Sequence, residues 1–382
     1  MHVAKLQVEK LRNPQPATRN PQPATRNQEP GTRNQEPRTR KLPPVIITQT
    51  PYRISLTGGG TDLPSFYREE YGAVLSFALD KHMYVTVSPR FDPTTRVAYT
   101  KTEIAADVSE IEHTIVREAL KMTGLGRHLE IPTVGDVPAG TGLGSSSSLT
   151  VGLLNALYAY RGDVSSPKKL ASQACDIEID ILRKPIGKQD QFAAAFGGVN
   201  YIRFNPDETV DVEPVPCRPE MIAQLKTHAM LLYTDQQRDA DKILKQQSEH
   251  TNDRRPILRA MRDLTDEMRR ALSGTPDIRR VAEILDEGWQ LKRSLGFGIS
   301  MAMVDSWYET AKRCGAMGGK LLGAGGGGFL LLLADPDCQE YIRAELGYPR
   351  ELEFGIDRCG SRVIFISDHN RLLRNQPVLT TV

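Results

Sequence analysis

Residues 138–148 read Pro138-Ala139-Gly140-Thr141-Gly142-Leu143-Gly144-Ser145-Ser146-Ser147-Ser148. Three glycines in five residues precede four serines, and then Leu149 to Tyr160 follow, where Val151, Leu154, Leu157 and Tyr158 recur at helical spacing. The serines fall where the first helical turn must begin, so free backbone N–H groups and hydroxyls converge on one point. Such a helix start attracts anions, because orphan donors and the positive end of the helix dipole coincide there. Glycine, lacking Cβ, lets the backbone approach a ligand closely. These residues alone leave two readings open, a polyphosphate cradle or a flexible Gly/Ser loop with a serine N-cap. Motifs further along the chain favour the first.

Outward from this stretch, composition sets the limits. With 382 residues the chain can fill two domains of ordinary size. A hydrophobic share of 39%, a charged share of 25% and a negative mean hydropathy fit a soluble globular protein. No run approaches the roughly 18 apolar residues of a membrane span, and the N-terminus has no apolar core of a secretory signal. The five cysteines (Cys175, Cys217, Cys314, Cys338, Cys359) are odd in number and lack CxxC spacing. That argues against a disulfide framework or zinc site and for a reducing, cytoplasmic setting. The net charge of +2 conceals an imbalance: residues 1–41 hold nine Lys/Arg and three Glu, which leaves the remainder at −4. A slightly acidic body gives no reason to expect nucleic acid as a partner, and no membrane partner is expected either.

Residues 13–40 are four tandem seven-residue units, NPQPATR, NPQPATR, NQEPGTR and NQEPRTR. Proline in every unit and the lack of an apolar seam exclude a coiled coil, so residues 1–43 are expected to be a disordered, weakly basic tail. Order is expected from Val45 to Ile47, a short strand, with Ile54 and Leu56 alternating as in a strand and Gly58 to Gly60 making a tight turn that presents Thr61 and Asp62. Val74 to Ala78 and Met83 to Ser88 read as two strands, with a structural His82 between them. Ile104 to Met122 reads as an amphipathic helix and Leu129 to Val134 as a strand feeding the loop. Pro167 to Leu182 reads as a helix N-capped by Ser166; on it, Asp176 and Asp180 suit a solvated face. Asp190 lies between Gly187 and a small-residue helical segment, as a residue packed near a ligand would.

In the second half, Met230 to Tyr233 reads as a strand, and Asp239 to Ala271, Ile278 to Ser294 and Val304 to Cys314 as helices. The glycines of Gly323 to Gly328 mark a backbone that something approaches closely, ahead of a strand from Phe329 to Leu333. Tyr341 to Glu345 is expected to be helical and Ser361 to Ile366 a last strand. Strands and helices alternate without a regular βαβ count, which predicts α+β rather than a Rossmann sheet. There is no G-x4-G-K-S/T, HRD or DFG sequence, which excludes two common nucleotide folds.

Three motifs in order, Pro51 to Asp62, Pro138 to Ser146 and Leu322 to Gly328, resemble those of the GHMP kinases, with an Asp between the second and third. The wordings R-I-S-x-x-G-G-G-T-D, G-K-Q-D-Q-x-A-A-A-x-G-G and G-G-K-L-L-G-A-G-G-G-G look like the D-glycero-D-manno-heptose 7-phosphate kinase branch, close to fucokinase. The resemblance implies an N-terminal domain (44–205) like domain 2 of ribosomal protein S5, a ferredoxin-like C-terminal domain (206–368) and a tail (369–382). It implies ATP and Mg²⁺ as cofactors, a small-molecule sugar or sugar phosphate as partner, and no particular oligomeric state.

Phosphoryl transfer requires charge neutralised on the β- and γ-phosphates and an acceptor hydroxyl placed in line. The resemblance implies that Gly140, Gly142, Leu143, Gly144, Ser145, Ser146 and Ser147 wrap the triphosphate. Ser146 (or Ser145) and Glu178 would hold Mg²⁺, Asp190 would orient the acceptor or take its proton, and Arg53 would stabilise charge. Thr61 and Asp62 would meet sugar hydroxyls, with Gly325 and Gly326 beside them; Lys188, Arg238 and Lys320 are candidates for an acceptor phosphate. At 234–240 the branch reads closer to T-G-x-x-R-x-A, whereas here Asp235 replaces the glycine and Asp239 adds an acid. The implied activity is a sugar 1-kinase acting on heptose 7-phosphate. Alternatives are a kinase of L-fucose or a uronic acid, or a non-catalytic sensor on the same fold.

Overall fold

In the computed structural model, which describes residues 44–236, 240–296 and 298–367, two long strands carry the molecule. β1 (Ile46–Thr57) pairs antiparallel with β2 (Gly72–Pro89) through the glycine turn at 58–60 and the short helix α1 (Pro64–Tyr67). Burial alternates along β1 only as far as Thr50; beyond it every residue is buried, because a second layer covers the outer face. The pairing register shifts on both sides of Arg53, between Pro51 and Arg53 and between Ser55 and Thr57. Such irregularities re-aim side chains next to functional sites.

The other strands of the sheet that holds β1 and β2 are β3 (Thr95–Ala98), β4 (Thr102–Ala105), β5 (Leu129–Gly135), β6 (Val199–Phe204), β7 (Val210–Pro214) and β11 (Arg362–Ile366). The order is β11-β1-β2-β5-β3-β4, with β6 on β2 and β7 on β6. On one face pack α2 (Thr114–Thr123), α3 (Ser145–Arg161), α4 (Pro167–Cys175) and α5 (Gln189–Phe196). α3 is buried nearly all round, from Leu149 to Tyr158, as a central core helix should be.

The second layer holds α6 (Pro219–His228), β8 (Ala229–Tyr233), α7 (Ala240–Glu249), α8 (Thr251–Ser273), α9 (Ile278–Ser294), α10 (Ala302–Arg313), β9 (Ala316–Leu321), β10 (Phe329–Ala334) and α11 (Pro336–Glu345). Its sheet order is β8-β10-β9, and Leu232 bridges to Glu351 on the other side of β8. That places the segments in a ferredoxin-like order, with Glu351 at the fourth position. One core cluster mixes Ile54, Leu56, Leu75 and Phe77 of the first sheet with Leu264, Met268, Leu285 and Leu331 of the second layer. No helix among the described residues is long and apolar enough to cross a membrane.

The α+β two-layer architecture agrees with expectation, and several elements differ. The pieces expected around Val45–Leu56 are one strand, as are those around Val74–Ser88. Ile104 to Met122 is not one helix: Thr102–Ala105 is a strand, and a capping box of Asp107 and Glu110 closes a 3₁₀ turn before α2 starts at Thr114. The helix expected from Asp239 breaks at His250. The boundaries at 205/206 and 368 do not separate the sheets, since β7 and β11 both join the first one. The repeat tail (1–43) lies outside the described residues, as does the expected tail at 369–382.

Candidate active site

The helix start that opened the sequence is built as its residues require. Gly140, Gly142 and Gly144 have φ of 77°, 82° and 77°, which L-residues with side chains rarely adopt. Gly144 is the N-cap of α3 and makes no side-chain cap, so first-turn N–H groups remain for an anion. Gly140, Gly142, Gly144 and Ser145 to Ser147 line a cavity of about 230 Å³. The Leu143 side chain is buried in the core behind it, and its carbonyl accepts from Arg53 N at 3.1 Å.

Arg53 and Asp190 meet across this loop. Arg53 Nε and Nη2 each donate to one Asp190 oxygen at 2.6 Å, and Nη1 donates to Gly142 O at 2.6 Å. A bidentate pair of this kind fixes a carboxylate in one plane. Asp190 lies in the first turn of α5, and a Cβ placed on Gly144 would sit 3.2 Å from its Oδ2. With φ of 77° as well, glycine at 144 lets loop, arginine and carboxylate converge without strain.

Glu178 sits in a π-helical segment, Asp176–Ile181, that continues α4; such insertions rotate side chains off the α-helical track and recur at functional sites. Its carboxylate is fully buried. Oε1 accepts from Ser146 Oγ at 2.5 Å and from Lys184 Nζ at 3.3 Å, and Oε2 accepts from Gln191 Nε2 at 2.8 Å. Lys184 Nζ also donates to Ser146 Oγ at 2.8 Å. A hydroxyl and a carboxylate converging on a cationic group form a hard-oxygen donor set that suits Mg²⁺, with the ammonium standing where a cation belongs. Asp176 and Asp180 are exposed.

The glycine turn between β9 and β10 braces the loop from the other layer. A Cβ on Gly323 would lie 2.6 Å from Gly142 Cα, and one on Gly328 2.4 Å from Thr141 O. Asp62, 2% exposed, accepts from Gly60 N at 2.9 Å and Gln189 N at 3.3 Å. Burial, with Asp190 adding to it, pushes its carboxyl above the usual range. A Cβ on Gly187 would come within 2.0 Å of Asp62 Oδ2, so the G-K-Q-D-Q turn can pass there only as glycine.

Residues 108–198 match the N terminal domain of the GHMP kinases and residues 264–348 match their C terminal domain. The chain belongs to the GHMP kinase family. This GHMP kinase is 29% identical over 327 residues to the D-glycero-alpha-D-manno-heptose 7-phosphate kinase of Campylobacter jejuni, covering 81% of this chain and 96% of that one. It is 26% identical over 326 residues to the bifunctional fucokinase/GDP-fucose pyrophosphorylase of Arabidopsis thaliana, covering 78% of this chain and 31% of that longer protein. The crystal structure of a D-glycero-D-manno-heptose 1-phosphate kinase from Bacteroides thetaiotaomicron matches with a TM-score of 0.71 over 85% of this chain and 100% of that one; at 24% identity it speaks for the fold. As a member of the family, the protein is an enzyme, an ATP-dependent phosphotransferase.

The cavity of this GHMP kinase gathers most of the expected residues but not all. Thr61 is fully buried and faces away; its Oγ1 donates to Gly58 O and Ala73 O, so it shapes the turn rather than meeting a ligand. Lys188 lies outside the cavity, paired with Glu208 at 2.5 Å and stacked over Tyr67. Gly325 lines the cavity, whereas Gly326 N is tied to Ile299 O at 2.9 Å. Arg238 and Asp239 lie outside the described residues. Asp235 has φ of 54°, which explains why a glycine suits that position. His82 is structural, hydrogen-bonded with Asp357 at 2.6 Å.

Sequence reasoning missed Lys184, Lys292, Ser55 and Gln189, all of which line the cavity. Lys292 could have been found, because it falls on the apolar stripe of α9 with Val281, Leu285 and Trp289, where a charge has no packing reason to be. Nothing comparable marks Lys184, whose position depends on the π-helical segment.

Proposed function

We propose that this sugar kinase transfers the γ-phosphoryl group of Mg·ATP to the anomeric hydroxyl of D-glycero-D-manno-heptose 7-phosphate, giving the 1,7-bisphosphate. The observation that carries the reaction is the Arg53–Asp190 pair set against the open N-terminus of α3. The first turn of α3 binds the triphosphate through N–H donors. Both Asp190 oxygens accept from Arg53, which leaves a lone pair on each to orient the acceptor hydroxyl and receive its proton. Ser146 and Glu178 would hold Mg²⁺, which when bound neutralises charge on the β- and γ-phosphates. Without the metal Lys184 bridges that pair, and it would give up this place to Mg²⁺.

The choice of acceptor rests on likeness to the Campylobacter jejuni enzyme, extending over 96% of its length. A cytoplasmic location, where ATP is supplied, accords with five scattered cysteines. One observation favours a neutral sugar instead: Asp235 puts an exposed acid beside the glycine-rich turn. ADP release from Mg·ATP across heptose 7-phosphate, heptose, fucose and glucuronate decides, with the product's phosphate located by ³¹P NMR. Turnover on heptose 7-phosphate with the new phosphate on C1 supports the proposal. Turnover on a neutral sugar alone moves the substrate, and silence across the panel with ATP still bound places the acceptor outside these four.

A further inference from the structure

Two buried cations in the cavity are left over once the transfer machinery is assembled. Arg53 is engaged by Asp190 and Gly142, and Lys184 by Glu178 and Ser146. Lys320 on β9 is 6% exposed, and its ammonium donates to Ser55 O at 2.8 Å and Leu56 O at 2.9 Å. Lys292, in the last turn of α9, is 7% exposed and donates to Gly323 O. Both line the cavity, and neither makes an ion pair with a carboxylate among the described residues. An ammonium has three donors, so three N–H groups remain between them.

Burial, followed by repulsion from Arg53 and against attraction from Asp62, pushes Lys292 down to about 8; burial, Lys292 and Arg53 push Lys320 well below the usual lysine range. Two like charges held in one buried cavity are unfavourable until an anion joins them. Beside them, Ser55 Oγ and Gln189 Oε1 are buried and unpartnered among the described residues. A Cβ on Gly59 would lie 3.8 Å from both Ser55 Oγ and Gln189 Nε2, so the two side chains flank one gap.

The group spans the cavity: Lys320 and Ser55 meet at β1, and Lys292 reaches Gly323, which abuts the phosphate loop at Gly142. Ser55 lies two residues along β1 from Arg53, which in a strand is about 7 Å, and both line the same cavity. A sugar with its hydroxyl at Asp190 and a phosphorylated arm reaching past Gly59 spans that gap. We propose that Lys320 and Lys292, with the Ser55 hydroxyl, form a second anion subsite that takes the phosphate of a phosphorylated sugar acceptor. This rests on the proposed acceptor class and assigns that class to residues.

The test compares wild type, Lys292→Met, Lys292→Arg and Ser55→Ala on heptose 7-phosphate and on unphosphorylated heptose, with KM for ATP measured in parallel. The subsite predicts that Lys292→Met lowers kcat/KM for the phosphorylated acceptor by on the order of 30-fold, the scale of one hydrogen bond to a charged group. That loss should be at least about tenfold larger than the loss on heptose. Lys292→Arg should recover part of it and Ser55→Ala should show the same preference more weakly. Equal losses on both acceptors, or an effect confined to KM for ATP, would place Lys292 at the nucleotide and overturn the subsite. Lys320→Met strips two backbone carbonyls of their donor and need not fold, so the other variants carry the test. A wild type that phosphorylates no sugar phosphate overturns the acceptor assignment itself, and the subsite with it.

Discussion

Arg53 is tied by three of its nitrogens, to both Asp190 oxygens and to the Gly142 carbonyl; under the proposed function it registers the acceptor's carboxylate against the nucleotide loop. Arg53→Lys cannot reproduce a bidentate fork; kcat should fall by about a hundredfold or more, checked by single-turnover kinetics. Lys184 works differently, as the cation resident beside a fully buried Glu178. Lys184→Met leaves that carboxylate with only Ser146 and Gln191, at a cost of about 3 kcal/mol. A lower Tm in metal-free buffer that Mg·ADP largely restores would bear this out; an unchanged Tm would show that Glu178 does not depend on the ammonium. At this scale Arg53, Asp190 and Ser146 could be singled out because each lies in a contiguous motif, whereas Glu178, in none of them, came only from the family resemblance. Lys184 and Ser55 could not, since only the π-helical segment and the shifted register of β1 bring them to the cavity.

Among elements, the start of α3 is the most constrained. Gly144→Ala would force an alanine to φ of 77° with its Cβ 3.2 Å from Asp190 Oδ2. About 1–2 kcal/mol of stability should be lost, with a larger drop in kcat than that loss explains; denaturant titration and turnover together check it. The opposite change is expected at Asp235, a non-glycine at φ of 54°, where Asp235→Gly should raise stability by about 1 kcal/mol. Helices whose apolar residues keep helical spacing, α3 and α9, were legible from that spacing, although Lys292 interrupts the stripe of α9. The stretch 104–122 misled because Ile104, Val108, Ile111 and Ile115 keep a helical spacing across a strand, a 3₁₀ turn and a helix start. Strand β9, AMGGKL, was hidden by its glycines, which are required there: a Cβ on Gly318 would lie 2.1 Å from Ala282 O.

At the scale of the whole molecule the chain closes on itself. β11 pairs with β1, and Asp357 just before it is hydrogen-bonded with His82 of β2 at 2.6 Å and accepts from Cys359 N at 2.7 Å and Arg362 Nη1 at 2.8 Å. These partners outweigh burial and hold the Asp357 carboxyl down at about 2. Because the folded state binds the proton less readily than the unfolded chain, this group stabilises the fold fully above about pH 4. The contribution is lost as pH falls from there toward 2. Asp357→Asn should therefore lower Tm at pH 7, and the gap from wild type should narrow in acid; a gap constant with pH would contradict the assignment. Such closure was not legible, since pairing between residues more than 300 positions apart leaves no local pattern, and the expected boundary at 205/206 fell inside the first sheet's strand pairs.

The most direct measurement is single-turnover phosphoryl transfer from Mg·ATP to heptose 7-phosphate by wild type and Asp190→Asn, with ATP binding measured on both. The wild type should transfer, the variant should be slower by about 10²- to 10⁴-fold, and the variant should still bind ATP. Transfer by Asp190→Asn within about tenfold of wild type would contradict the assignment of Asp190 as the acceptor's carboxylate, and with it the mechanism.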